Sequence, residues 1–200
     1  MSRKLKKLNG NLKRKKRIPR KVTHKNLEIA ALYYLRRYSS SCENLRQVLL
    51  RRVTHSAQFH TVDSFQAQDW INEILEKLTA SKLLDDAHYA EIKCFDLHRG
   101  GASKLSIQKK LREKGISQDI IEWVLKQLDN DATEPELIAA AITARRRRLG
   151  PYRDARNRKT FRLKDLASLA RAGFSYSIAK QIINSENIDQ LERKIITTNK

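Results

Sequence analysis

The strongest constraint on this chain is that it repeats itself. Sliding the segment from Leu35 to Leu49 by 62 positions sets Leu35 on Leu97, Arg37 on Arg99, Ser41 on Ser103, Leu45 on Ile107 and Leu49 on Leu111 without a gap. A second slide, by 58 positions, sets Leu111 on Leu169, Gly115 on Gly173, Ile116 on Phe174, Ser117 on Ser175, Ile120 on Ile178 and Val124 on Ile182. LREKGIS and LARAGFS share one grammar: a helix stopped by Gly, then a hydrophobic residue, then a Ser that caps the next helix. Self-similarity at such periods marks a tandem array in which each module packs mainly on its neighbours.

Apolar residues recur at helical spacing within each module. Leu27, Ala30, Ala31, Tyr34 and Leu35 predict a first helix; Leu45, Val48, Leu49 and Arg52 a second; Trp70, Ile71, Ile74, Leu75 and Leu78 a third. The polar stretch from Thr54 to Gln68 reads as the connection between the last two. In the middle module Asp85 or Asp86 caps a helix carrying Tyr89, Ala90, Ile92, Lys93 and Leu97 that ends at Gly100 and Gly101. Ser103 opens the next, with Ile107 and Leu111, and Ser117 caps one with Ile120, Ile121, Val124, Leu125 and Leu128. The last module starts with a helix from Pro135 to about Arg148, with Thr133 as cap and Pro135 near its first position. No segment shows strand-like alternation. The expected fold is all-α: three tandem three-helix repeats over 26–80, 81–130 and 131–200, forming an elongated curved array behind a disordered basic arm, 1–25.

Charge is distributed unevenly along this array. The chain holds 42 Lys and Arg against 22 Asp and Glu, a net +20, yet residues 1–26 carry 12 basic and no acidic residues while 27–80 are neutral and 81–130 are at +1. Residues 131–200 supply the remaining +7. The arm has too little apolar surface to order itself, and the two basic ends point to a polyanionic partner. No run approaches the ~20 apolar residues of a membrane span, and the basic N-terminus lacks a signal-peptide core, so the expected location is the cytoplasm.

Little in the sequence suggests catalysis. Cys42 and Cys94 stand far apart and read as reduced structural thiols. His24, His55, His60, His88 and His98 have no metal-ligand spacing, Asp85 and Asp86 read as helix-capping acids, and no phosphate-cradling or nucleophile-elbow motif is present. Neither a cofactor nor a metal is expected. Trp70 and Trp123 lie at helical spacing and read as core rather than stacking platforms. Around a Gly-Pro turn, RRRRLGPYRDARNRK gathers Arg145, Arg146, Arg147, Arg148, Arg153, Arg156, Arg158 and Lys159 with Tyr152 between them. Arginines supply the bidentate bonds that phosphates and acidic surfaces take.

The middle module resembles a known family. LLDDAHYAEIKCFDLHRGGASKLSIQKKLREKGIS runs from an acidic pair and Tyr-Ala, through a basic-Gly turn, to a Leu-rich helix ending in Lys-Gly-Ile, and so resembles the RecX regulatory proteins. The positions concerned are Leu84, Asp85, Asp86, Tyr89, Ala90, Arg99, Gly100, Leu111, Lys114, Gly115 and Ile116; ALYYLRRYSSSCENLRQVLL and LARAGFSYSIAKQII resemble the flanking repeats. The resemblance covers roughly residues 27–185. The basic arm is an addition to the family pattern, and Val53–Gln68 lacks its Gly stop. The resemblance implies a non-enzymatic, monomeric modulator that binds the groove of the RecA recombinase filament on single-stranded DNA and restrains recombinase, ATPase and coprotease activities, in DNA repair, recombination and the SOS response. Candidate contacts to RecA or DNA are Arg99, Lys104, Lys109, Arg112 and Lys114 of the middle module and the eight cations around the Gly-Pro turn. A helical-repeat protein that grips DNA or RNA directly, with no recombinase partner, is the alternative.

Overall fold

The computed structural model describes residues 19–131, 134–186, 188–189 and 191–193. Nine α-helices run through them in chain order: α1 His24–Leu35, α2 Cys42–Ala57, α3 Ser64–Ala80, α4 Asp86–Arg99, α5 Lys104–Arg112, α6 Gln118–Asp131, α7 Pro135–Arg147, α8 Ala155–Arg171 and α9 Tyr176–Ile183. A short 3-10 helix, Gly150–Tyr152, lies between α7 and α8, and no strand occurs among the described residues. The all-α class expected from the periodicity is what the chain adopts. Seven helices start at a side chain that accepts a backbone N–H of the first turn: Thr23, Ser41, Asp63, Asp85, Ser103, Asp154 and Ser175.

Apolar side chains gather into three clusters, one per set of three helices. The first runs from Val22 to Leu84 around Leu27, Leu45, Leu49, Ile71 and Ile74. The second runs from Tyr89 to Leu128 around Ile107, Leu111 and Ile121. The third runs from Leu137 to Leu191 around Leu169 and Ile182. Helix α7 differs from the rest, because every residue from Leu137 to Ala144 is buried. A helix that is apolar all round must be covered all round, and α7 is, lying against α4 of the middle set as well as α8 and α9 of its own.

The two joints between successive sets use the same bonds. At the first, the Ser41 hydroxyl donates to the Lys114 carbonyl (2.6 Å) while the Cys42 N–H donates to the Asp86 carboxylate (2.8 Å). At the second, the Ser103 hydroxyl donates to the Ala172 carbonyl (2.7 Å) while the Lys104 N–H donates to the Glu136 carboxylate (2.6 Å). Helix ends leave N–H and C=O groups without intrahelical partners. Here the start of each second helix and the end of the following set's second helix satisfy one another, and an acid sits at the positive end of the dipole. The approach is close enough to exclude a side chain at the stop glycine. Gly115 and Gly173 hold φ of 74° and 93°; a Cβ on Gly115 would collide with the Glu43 side chain, and one on Gly173 would lie 2.5 Å from Ser103 Oγ.

Several expectations need correction. Residues 19–25, expected in the arm, are packed: Val22 is buried and its N–H donates to Ser56 Oγ (3.2 Å), Pro19 O lies 2.8 Å from His60 Nε2, and Thr23 caps α1. Residues 1–18 lie outside the described residues, as does Thr133; the N-cap position of α7 is held by Glu134. The polar stretch Thr54–Gln68 is largely helical, because Val53, Ser56 and Ala67 continue the buried stripes of α2 and α3 through it. Arg52 sits outside that stripe, exposed. Ile92 and Trp123 are also exposed, at 44% and 43%, since α4 turns Tyr89, Ala90, Cys94 and His98 inward and α6 turns Ile121, Val124 and Leu128. Of the acidic pair, Asp85 caps its own helix whereas Asp86 caps α2.

Candidate polyanion interface

A groove of about 860 Å³ opens at the second joint, between the end of α4, the outer face of α5 and the last turns of α7 and α8. Its cations come from three helices for one local reason each. Burial of Ile107 and Leu111 turns Lys109, Lys110 and Arg112 of α5 outward. Helix α7 leaves the core only after Ala144, so Arg146 and Arg147 emerge at its negative end, where cations are favoured. Arg171 closes α8. The six cations face two carboxylates, Asp96 and Glu113, and the first of these already holds Arg99 (2.7 Å). Leu105, 62% exposed, adds an apolar surface among them.

The repeat supplies an internal comparison for this charge. At the first joint the positions matching Lys109, Lys110 and Arg112 are Gln47, Val48 and Leu50, and the position matching Arg171 is Glu113. The joint itself therefore does not require cations, since the same backbone arrangement forms without them. Of the two joints, only the second carries this added positive charge.

Four of the thirteen candidate contact residues line this groove: Lys109, Arg112, Arg146 and Arg147. Arg112 also reaches Gln118 (2.9 Å), Arg146 the Gly100 carbonyl (2.8 Å) and Arg147 the Ser168 hydroxyl (3.2 Å), all neutral acceptors that leave the positive charge uncompensated. The others are placed elsewhere. Arg153 grips the buried Asp165 carboxylate with two bonds (3.1 and 2.8 Å), stacks over Phe161, and has its pKa pushed up by that carboxylate. Arg158 donates to the carbonyls of Pro151 (2.6 Å) and Arg153 (3.0 Å). These two arginines build the Gly-Pro turn. Arg145 pairs with Glu192 (2.6 Å), Lys104 with Asp129, Lys114 donates to Asn44 (2.9 Å) and Arg156 lies 3.8 Å from Asp154. Arg99, Arg148 and Lys159 are exposed and do not line the groove. Lys110 and Arg171 join the groove without being candidates from the sequence; only Lys110, beside Lys109 on α5, carries a local signal.

Both cysteines are free thiols. Burial pushes Cys94 up to about 11 and raises Cys42 as well, so neither is a ready nucleophile. Among the described residues no cluster of His, Cys, Asp or Glu could hold a metal ion, and no helix is long and apolar enough to cross a membrane.

Residues 85–125, the middle set of helices, match the family model described as RecX, second three-helix domain. Over 168 residues, 84% of this chain and 89% of the relative, the sequence is 42% identical to the regulatory protein RecX of Myxococcus xanthus. It is 29% identical to the regulatory protein RecX of Agrobacterium fabrum over 77% of this chain and 79% of that one. No solved structure matches it. With a relative this similar over nearly its whole length, and a family-specific helical domain at the centre of the chain, the protein belongs to the RecX family of regulatory proteins.

Proposed function

We propose that this protein binds the RecA recombinase filament on single-stranded DNA in the cytoplasm and restrains its recombinase, ATPase and coprotease activities, acting by binding and not by catalysis. The observation that carries the reading furthest is the cluster of uncompensated cations at the second joint, absent from the first, in a chain whose relatives are named as regulators. A groove walled by guanidinium and ammonium groups takes phosphates or acidic side chains, and Arg does so in bidentate fashion. Repeats over 26–80, 81–130 and 131–200 would lie along the filament in succession.

Low amounts of the protein are expected to slow DNA-dependent ATP hydrolysis and strand exchange by RecA. Replacing Lys109, Lys110 and Arg171 together with Ala should weaken that inhibition several-fold while melting is unchanged, because all three side chains are exposed. Full inhibition by the triple variant would move the binding surface elsewhere, and no effect of the intact protein on RecA would refute the reading. If naked single-stranded DNA is held as tightly as the coated filament, the protein is a direct nucleic-acid binder.

A further inference from the structure

The first set of helices carries a second, differently built concavity, of about 420 Å³, where the strap of residues 19–22 crosses α1 and α2. Val22, Leu27, Ile29 and Ala30 give it an apolar lining, and the exposed Tyr33 lines it as well. Arg20, Lys21 and Arg52 stand around it, and no Asp or Glu lines it. None of these three cations has a carboxylate partner among the described residues. Ile29 and Tyr33 are 55% and 56% exposed, although α1 has a buried stripe of Leu27, Ala30 and Ala31 to hold its apolar residues. The Arg37 guanidinium lies 5.3 Å from the Tyr33 ring centroid and is not among the residues that line the concavity, whereas Tyr33 is.

A concavity lined by apolar residues, an exposed tyrosine and three cations without a carboxylate partner fits a ligand that is planar and apolar in one part and anionic in the next. That is a nucleotide within a strand. The chain's own preceding segment is the wrong occupant on charge, since residues 1–18 hold nine Lys and Arg and no acid, the same sign as the rim. The same segment adds nine cations to the chain, a charge to which a polyanionic strand responds more strongly than a single phosphate does. We propose that this concavity is a single-stranded nucleic-acid site, with one base stacked on Tyr33 against Ile29 and the flanking phosphates on Arg20, Lys21 and Arg52. It is separate from the second-joint groove and needs no recombinase.

The test uses the full chain, with no recombinase present, and two labelled probes of equal length: an oligothymidylate and an abasic strand. Because Tyr33 is exposed, Tyr33→Ala keeps the fold, which a melting curve checks. It is expected to weaken binding of the oligothymidylate about tenfold and leave the abasic strand unaffected, with Tyr33→Phe behaving as wild type. Arg52→Ala should weaken both probes. Ultraviolet crosslinking of a strand containing 5-iodouracil to the unsubstituted protein should place the adduct at Tyr33. Equal losses for both probes with Tyr33→Ala, no loss for either, or free thymidine nucleotide competing as well as the strand at equal phosphate concentration would each overturn the proposal.

Discussion

Ser41 and Ser103 each use one hydroxyl twice, accepting a first-turn N–H of their own helix and donating to a carbonyl of the next set of helices. Ser175 caps α9 in the same way without such a cross-bond. Substitution to Ala therefore separates the two contributions. Ser103→Ala is expected to cost about 2 kcal/mol, half from the cap and half from an orphaned carbonyl, and Ser175→Ala about 1 kcal/mol. Urea denaturation followed by helical circular dichroism measures both. The arginines show the opposite lesson about what a residue type reveals. Arg147 and Arg153 belong to one basic run, but one opens into a groove while the other neutralises a carboxylate that is 2% exposed. Arg153→Ala should lower the melting temperature markedly, because an unpaired buried charge is costly; Lys159→Ala should leave it unchanged. Composition alone cannot separate such residues, since their difference lies in Asp165, twelve positions from Arg153 and invisible in the run itself.

At the scale of elements, the helix starts at Ser41, Asp85, Ser103 and Ser175 are legible, because a cap acts within one turn, whereas Asp63 and Asp154 cap helices whose first turns read as polar connections. The extent of α2 and α3 is not legible either. Thr54–Ala57 looks polar, yet Ser56 is buried and anchors the strap that leads into α1: its hydroxyl meets both the Val22 N–H and the Arg20 carbonyl. That anchor also explains why residues 19–23 are packed although their composition reads as part of a basic arm. A truncation removing residues 1–23 should be less stable than one removing 1–18 by about 2–3 kcal/mol, because Val22 burial and the Thr23 cap both go. Equal midpoints in urea would show that the strap contributes nothing.

For the whole molecule, the net charge of +20 is the property a polyanion senses first, and its effect is read through salt. If the RecA–DNA filament is the partner, as proposed, and phosphates are bound, the logarithm of the binding constant should fall linearly with the logarithm of salt concentration. Replacing Lys109, Lys110 and Arg171 should flatten that slope by roughly one unit for each phosphate that is no longer neutralised. A slope that does not change would assign the salt dependence to the N-terminal cations or to the rim around Tyr33.

The sequence by itself determined the helical class, the three-fold repetition, the stop-glycine and Ser-cap grammar, and the family, all of which rest on neighbours three or four positions apart or on comparison of one segment with another. Tertiary structure alone decided which polar groups face each other across the joints and which cations remain unpaired. It brought Arg171 to Lys109, sent Arg153 to Asp165, and left Ile29, Tyr33 and Trp123 in solvent. The reason is physical: periodicity specifies that a helix has an apolar stripe, but the neighbour that covers the stripe, and how far it covers, is set by packing between segments distant in the chain.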